Sequence, residues 1–214
     1  MTGTGRTIIR HGGAPDAVDI ADLHTDSWTT SYRGIVPDEA LGDGLAAQRR
    51  ELWELRLAVD YGTPENTPVL LVAERAGERV GFVYLVPQPD GGVLVDNLHV
   101  RPGLTGGGIG RELLAAARAE VAERHPGAEL RLEVLRANTR AIAFYEREGG
   151  VRIRVQAGVF PGGHLLPEYV YAWPAKSTSG SKSGSGSGSK SGTGSGTGTG
   201  AAPASGRAAG QSTS

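Results

Sequence analysis

Val93-Leu94-Val95-Asp96-Asn97-Leu98-His99-Val100 runs straight into Arg101-Pro102-Gly103-Leu104-Thr105-Gly106-Gly107-Gly108-Ile109-Gly110-Arg111, and Glu112-Leu113-Leu114 follows. The first eight residues are apolar apart from Asp96, Asn97 and His99, which predicts a central strand with both faces covered. Downstream, Leu113, Leu114, Ala117 and Val121 share one face and predict a helix over Arg111–Arg124, stopped by His125-Pro126-Gly127. A strand, a glycine-rich turn and a helix opening at about Gly108 form a device for holding an anion. The first helical turn leaves N–H groups without intrahelical partners, the helix dipole favours negative charge, and glycines let a phosphate approach the backbone. Taken alone, such a loop is compatible with a purely structural glycine turn.

Outward from this segment, the rest of the chain falls into alternating elements. Upstream, Thr7–Arg10 predicts a short strand. Pro15 and Asp16 suit a helix start, with Val18, Ile20, Leu23 and Trp28 forming a stripe to about Ser31. A second helix is predicted over Leu45–Val59. Val69–Glu74 and Val80–Val86, separated by Ala76-Gly77-Glu78, predict two antiparallel strands. Downstream, Leu130–Val134 predicts a strand, Thr139–Glu148 a helix, and Val151–Val155 with Glu168–Trp173 two closing strands around Pro161-Gly162-Gly163. The order predicts an α/β mixed sheet with helices on both faces, its parallel pairing concentrated in the second half.

Composition divides the 214 residues into a body, 1–175, and a tail, 176–214, which is Ser-, Gly-, Thr- and Ala-rich and is expected to be a disordered coil. The tail carries Lys176, Lys182, Lys190 and Arg207 and no acid, so the formal charge of −1 becomes −5 on the body. A mildly acidic body argues against a nucleic-acid partner and suits a cationic amine equally with ordinary solubility. The body uses arginine and no lysine, which reads as the codon bias of a high-GC genome. With no cysteine, disulfides and thiolate metal sites are excluded, and no histidine spacing suggests a metal. No apolar run approaches a membrane span and Met1–Arg10 lacks a signal-type apolar stretch, so the expected compartment is the cytoplasm, with no membrane partner.

Two common phosphate-binding motifs fit badly. A P-loop needs G-x-x-x-x-G-K-[ST], and the body has no lysine; a dinucleotide fold wants its glycines after the first strand of a βαβ unit, whereas these follow antiparallel strands. Leu98–Leu114 instead resembles the acyl-CoA-binding segment of the GNAT superfamily of N-acetyltransferases, which reads strand, V-x-P, R/Q-x-x-G-x-G/A, helix. Gly108 and Gly110 match its fixed glycines. Thr105 stands where Arg or Gln is usual, removing one side-chain contact near the pyrophosphate; Arg111 or Arg101 could compensate. Independently, Asn138-Thr139-Arg140-Ala141-Ile142-Ala143-Phe144-Tyr145-Glu146-Arg147-Glu148-Gly149-Gly150 is similar to the family's N-x-x-A-x-x-[FL]-Y-E-x-x-G-F element, departing only at Gly150. Trp28–Asp38 is similar to a run in many bacterial members, in the helical region over the acceptor site.

The resemblance implies a mostly antiparallel sheet of six to seven strands, splayed between the fourth and fifth. It implies acetyl-CoA as cosubstrate, without a metal, and attack of an amine on the thioester. The amides of Gly106, Gly107, Gly108, Ile109, Gly110 and Arg111, beside Thr105, would hold the cofactor. Leu98, His99 and Val100 would pair with its pantetheine arm and supply an oxyanion donor, with Asn138 bonding the arm from the neighbouring element. Tyr145 would be the general acid, its reference pKa of about 10 lying above a thiol's at about 8.5; the alternative is a packed helix tyrosine. Asp96 is the first candidate for general base and His99 the second, and strand alternation puts them on opposite faces. Both could equally be satisfied core groups. Glu133 is expected to be structural. Trp28 and Tyr32 are candidates for the acceptor pocket or for core, whereas Trp53 is expected in the core. The acceptor is expected to be a small-molecule or peptide amine. An acyl-CoA sensor without turnover, and a different acyl donor, remain alternatives. Edge strands near the C-terminus suit a homodimer.

Overall fold

The computed structural model describes residues 5–159 and 164–175, without the side chains of Glu39 and Ala40. Both the tail and the Pro161–Gly163 turn lie outside the described residues. Seven strands form one sheet: β1 (Ile8–His11), β2 (Val69–Arg75), β3 (Glu78–Pro87), β4 (Val93–Val100), β5 (Leu130–Leu135), β6 (Val151–Val159) and β7 (Leu165–Trp173). Their order is β1-β2-β3-β4-β5-β7-β6. Every neighbouring pair is antiparallel except β4 and β5. Helices α1 (Ala17–Tyr32) and α2 (Leu45–Ala58) cover one face, and α3 (Ile109–Arg124) and α4 (Thr139–Arg147) the other.

Double coverage explains the apolar strands. Within β2, Leu70 and Val72 pack with Ile20, Leu23 and Trp53 beneath α1 and α2, while Val69, Leu71 and Ala73 join Leu113, Leu114 and Ala117 of α3. The β2–β3 hairpin closes on two residues, Ala76 (φ 52°) and Gly77 (φ 82°), both left-handed, as a primed turn that matches the twist of the strands requires. On β3, a Cβ at Gly81 would lie 2.9 Å from the His99 carbonyl and 3.0 Å from Leu113, so glycine is what lets α3 press against this part of the sheet. At the other edge, Arg10 grips Asp16 through two hydrogen bonds of 2.8 and 3.0 Å, tying β1 to the start of α1 and holding the Asp16 carboxyl down at about 2.

Both closing strands run further than sequence patterning indicates. Gly158 and Pro167 look like breakers, yet Ala157, Gly158 and Val159 pair with Pro167, Leu166 and Leu165. Gly158 is there because the Glu168 carboxylate lies against it, in the space a Cβ would need. Glu168 itself is buried.

Two irregularities fix the site. The β4–β5 ladder is confined to Val93–Val95 and Leu130–Leu132, after which the strands diverge toward the C-terminal end of β4. At the same point β4 carries a bulge: Leu85 pairs with Val95 and Tyr84 with Asn97, leaving Asp96 as the extra residue.

Candidate active site

The fork between β4 and β5 opens at the carboxyl ends of two parallel strands, where open α/β sheets place ligands. At its head, Gly108 caps α3 in the left-handed conformation (φ 86°), and Gly103 and Gly106 adopt φ of 85° and 84°. No L side chain is comfortable there, and the turn presents the opening amides of α3 outward. Beside it lies a cleft of about 420 Å³ lined by Gly106, Gly107, Gly108, Arg111, Phe144, Arg147 and Glu148. A Cβ built at Gly110 would lie 3.5 Å from the Phe144 ring and 3.7 Å from Val100, which places the start of α3 beside α4 and the end of β4. A second cleft, of about 200 Å³, separates the last turn of α1 (Thr30, Ser31) from Ala137–Arg140 at the head of α4. A further cleft, of about 510 Å³, lies at the opposite end of β5 among Arg118, Val121, Leu130 and Trp173, away from the glycine loop and the head of α4.

Both departures from the motif pattern have local compensation. Arg140 Nη2 donates to Thr105 Oγ1 at 2.8 Å, so α4 delivers to the loop the guanidinium that position 105 lacks. Neither earlier candidate fills that role alone: Arg101 donates to the Arg79 carbonyl, and Arg111 lies over Gly108 within the cleft. At Gly150, a Cβ would meet the Trp173 ring at 2.8 Å, and Trp173 Nε1 donates to the Glu148 carbonyl. Trp173 thus fills the space an aromatic at 150 would take.

Tyr145 is fully buried on the α3/α4 face, with ring centroids 5.3 Å from Phe144, 6.2 Å from Tyr171 and 6.0 Å from Trp173. Tyr171 donates to Glu146 at 2.7 Å, fastening α4 to β7. Asn138 caps α4, its Oδ1 accepting from the Ala141 amide at 3.1 Å.

Asp96 and His99 share a face, contrary to strand alternation. The bulge resets the parity of β4, so both meet the α1/α2 layer. Arg56 Nη1 of α2 lies 2.7 Å from Asp96 Oδ2, off the hydrogen-bonding direction, and Asn97 Nδ2 donates to the same oxygen at 2.5 Å. His99 is fully buried, with Nδ1 3.0 Å from the Ser27 hydroxyl and its ring 4.5 Å from that of His24. His24 accepts from Trp53 Nε1 at 3.0 Å, and burial first, then His99, Arg49 and Arg56, hold its pKa well below the ordinary value. Tyr145 therefore stands on one face of the sheet and Asp96 with His99 on the other, joined where β4 and β5 part. Trp28 and Tyr32, ring centroids 4.5 Å apart, are fully buried with Val36, Leu45 and Leu135. Trp53 is core, and Glu133 accepts from Gln156 at 2.8 Å.

The acetyltransferase (GNAT) family model matches residues 20–150. The chain belongs to that family. Solved structures agree at the level of fold. PaiA N-acetyltransferase from Thermoplasma acidophilum in complex with coenzyme A is 20% identical, with a TM-score of 0.58 over 76% of this chain and 98% of that one. Ribosomal-protein-alanine N-acetyltransferase from Brucella melitensis gives 24%, 0.59, 78% and 99%. YncA from Salmonella typhimurium, a putative acetyltransferase with its cofactor acetyl-CoA, gives 16%, 0.60, 83% and 98%. No curated protein matches the chain. Among the described residues of this GNAT chain, no helix is long and apolar enough to cross a membrane, and no cluster of His, Asp and Glu could hold a metal ion.

Sequence reasoning passed over Arg140, His24, Ser27, Asn97, Arg49, Arg56 and Glu168. Arg140 sits inside a recognised motif and was within reach. The others come from α1, α2, β4 and β7, and no spacing links them. Arg49 and Arg50 are adjacent and look alike, yet Arg49 is 5% exposed whereas the side chain of Arg50 is 54% exposed in its pair with Asp22.

Proposed function

We propose that the protein transfers an acetyl group from acetyl-CoA to a primary amine. One observation carries the reading: β4 leaves β5 after Val95, directly below a left-handed glycine turn that opens α3. The residues present suit a CoA thioester. Nothing lies within 4 Å of a Cβ built at Gly106, so the turn leaves room at the backbone for a pyrophosphate, with Arg111, Arg140 and Arg147 supplying positive charge around it. The diverging edge of β4 at Leu98–Val100 suits an extended arm that adds to the sheet like a strand. When bound, acetyl-CoA would supply an activated acyl carbon and a thiolate leaving group.

The chain's own residues then divide the work. Backbone N–H groups of the diverging β4 edge stabilise developing negative charge on the acyl oxygen. Tyr145, on the α4 side of the fork, protonates the leaving sulfur. Asp96, or His99 through the Ser27 hydroxyl, accepts the amine's proton from the α1/α2 side. Placing acid and base on opposite faces keeps each from neutralising the other while the acyl group sits between them. The test is to incubate the protein with acetyl-CoA and a panel of amines and to follow free thiol. Tight acetyl-CoA binding without thiol release for any amine would make it an acyl-CoA sensor; release only with a longer or charged acyl donor would change the donor.

A further inference from the structure

Arg49 is a buried cation that the proposed chemistry does not use. Its residue exposure is 5%, its Nε has no hydrogen-bond partner, and among the described residues no carboxylate lies within salt-bridge distance of it. Arg56, two turns further along α2, faces Asp96. Two guanidinium groups thus meet one carboxylate, leaving an excess of one positive charge inside the protein. Burial, followed by repulsion from Arg56, pushes the Arg49 pKa down to about 10. The guanidinium lies over the face of Trp28, whose ring centroid is 4.6 Å from the guanidinium carbon, and Asp96 attracts it from further off. A cation–π contact offsets part of the desolvation cost of a buried charge but does not replace a counter-ion.

The neighbours of Arg49 share this deficit. Trp28 Nε1 and His24 Nε2 are both buried without a hydrogen-bond partner. Because Nδ1 of the neutral His24 accepts from Trp53, its hydrogen resides on Nε2. Arg49 Nε, Trp28 Nε1 and His24 Nε2 are therefore three N–H donors lacking acceptors, on side chains packed together beneath α1 and α2. On the sheet below, Asn97 Oδ1 is a buried acceptor without a donor, beside Asp96. Buried polar groups rarely go unpaired, and four on one face of one site describe the complement of a ligand. Three donors around an excess positive charge fit an anion with acceptor atoms only, such as a carboxylate. The lone acceptor at Asn97, next to the candidate base, fits an amine N–H.

We infer that the acceptor carries a carboxylate close to the amine that is acetylated, as an amino acid does, and that Arg49 with Trp28 and His24 receives that carboxylate. The inference rests on the acetyl-transfer reading and narrows its acceptor. Amino acids, their amides and the corresponding decarboxylated amines should be compared as acceptors by thiol release. The expected result is a kcat/KM for the acid at least about tenfold above its amide and amine, a ratio that collapses in Arg49→Met and survives in part in Arg49→Lys. Thermal melting of both variants checks that they fold. If amides and decarboxylated amines are turned over as well as the acids, the carboxylate subsite is wrong while acetyl transfer stands. If no amine is turned over, the transfer reading fails instead, and titration calorimetry with the amino acids decides the subsite on its own. Saturable binding that Arg49→Met abolishes supports it, and absence of binding overturns it.

Discussion

The two sides of the fork are built from different material. On the side proposed for the cofactor, the working groups are backbone: amides at the head of α3, held by glycines at φ 84–86°, and the diverging edge of β4. On the side proposed for the acceptor they are side chains, namely Arg49, His24, Trp28, Asp96, Asn97 and His99, drawn from α1, α2 and β4. A backbone site tolerates side-chain change, because a neighbour can supply a missing group, as Arg140 does for Thr105 and Trp173 does for Gly150. A side-chain site has no such reserve. Conservative changes should therefore be costly under α1 and α2 and mild in the loop, except where they alter the loop's backbone.

The largest effect is expected where the two sides meet. Tyr145→Phe removes one oxygen from a fully buried ring and keeps its aromatic contacts. With the general acid gone, kcat should fall roughly a hundredfold while acetyl-CoA still binds. Unchanged turnover across the pH range would return Tyr145 to a purely packing role.

The same contrast explains what was legible in the sequence. The cofactor side lies in two unbroken segments, Leu98–Leu114 and Asn138–Gly150, in which glycine spacing and helix signals record backbone geometry directly. The mostly antiparallel sheet and its splay between the fourth and fifth strands followed from the resemblance those segments carry, whereas the strand order and the point of divergence after Val95 come from the structure. The bulge at Asp96 was not legible, since an extra residue in a strand leaves no mark on composition, and it moved Asp96 to the face of His99. The acceptor cluster was hidden for a related reason. Arg49, His24 and Asn97 acquire meaning only from burial, and burial is decided by how α1 and α2 pack on strands that lie elsewhere in the chain. The long closing strands were masked by Gly158, whose role is to make room for Glu168.

A backbone change inside the loop should be the next most damaging. Gly108→Val places a β-branched residue at φ 86°, where strain of about 1–3 kcal/mol falls on the turn that aims the α3 amides. Acetyl-CoA affinity should drop roughly thirtyfold by calorimetry, with little change in the far-ultraviolet dichroism. Full affinity in this variant would mean that side chains, and not backbone, hold the cofactor.

On the acceptor side, pH offers a gentler probe. His24 is neutral in the fold, hemmed in by His99, Arg49 and Arg56. Above about pH 6.5 it is neutral folded and unfolded alike, so it contributes no pH dependence. Below that, only the unfolded chain takes up the proton, and stability falls with pH by up to about 1.4 kcal/mol per unit. Urea unfolding at pH 7.5 and 5.5 should show a drop in the parent that is smaller by about 1 kcal/mol in His24→Gln. Equal drops in the two proteins would show that His24 is protonated in the fold, against the donor pattern assigned to it.

The smallest effect sharpens the contrast most. Thr105→Val keeps the shape of residue 105 and removes the oxygen that accepts from Arg140 Nη2. If the loop is held by backbone, its glycine turns stay as they are, and only the aim of one exposed guanidinium is lost. Acetyl-CoA affinity should then weaken by roughly two- to threefold, within the range of a solvent-screened contact. Arg140→Gln should match it, and the double variant should be no worse than either single one, since both break the same contact. A tenfold loss in Thr105→Val would show instead that this side-chain pair organises the loop, and the division between a backbone side and a side-chain side would fail at the residue where this chain departs from the family pattern.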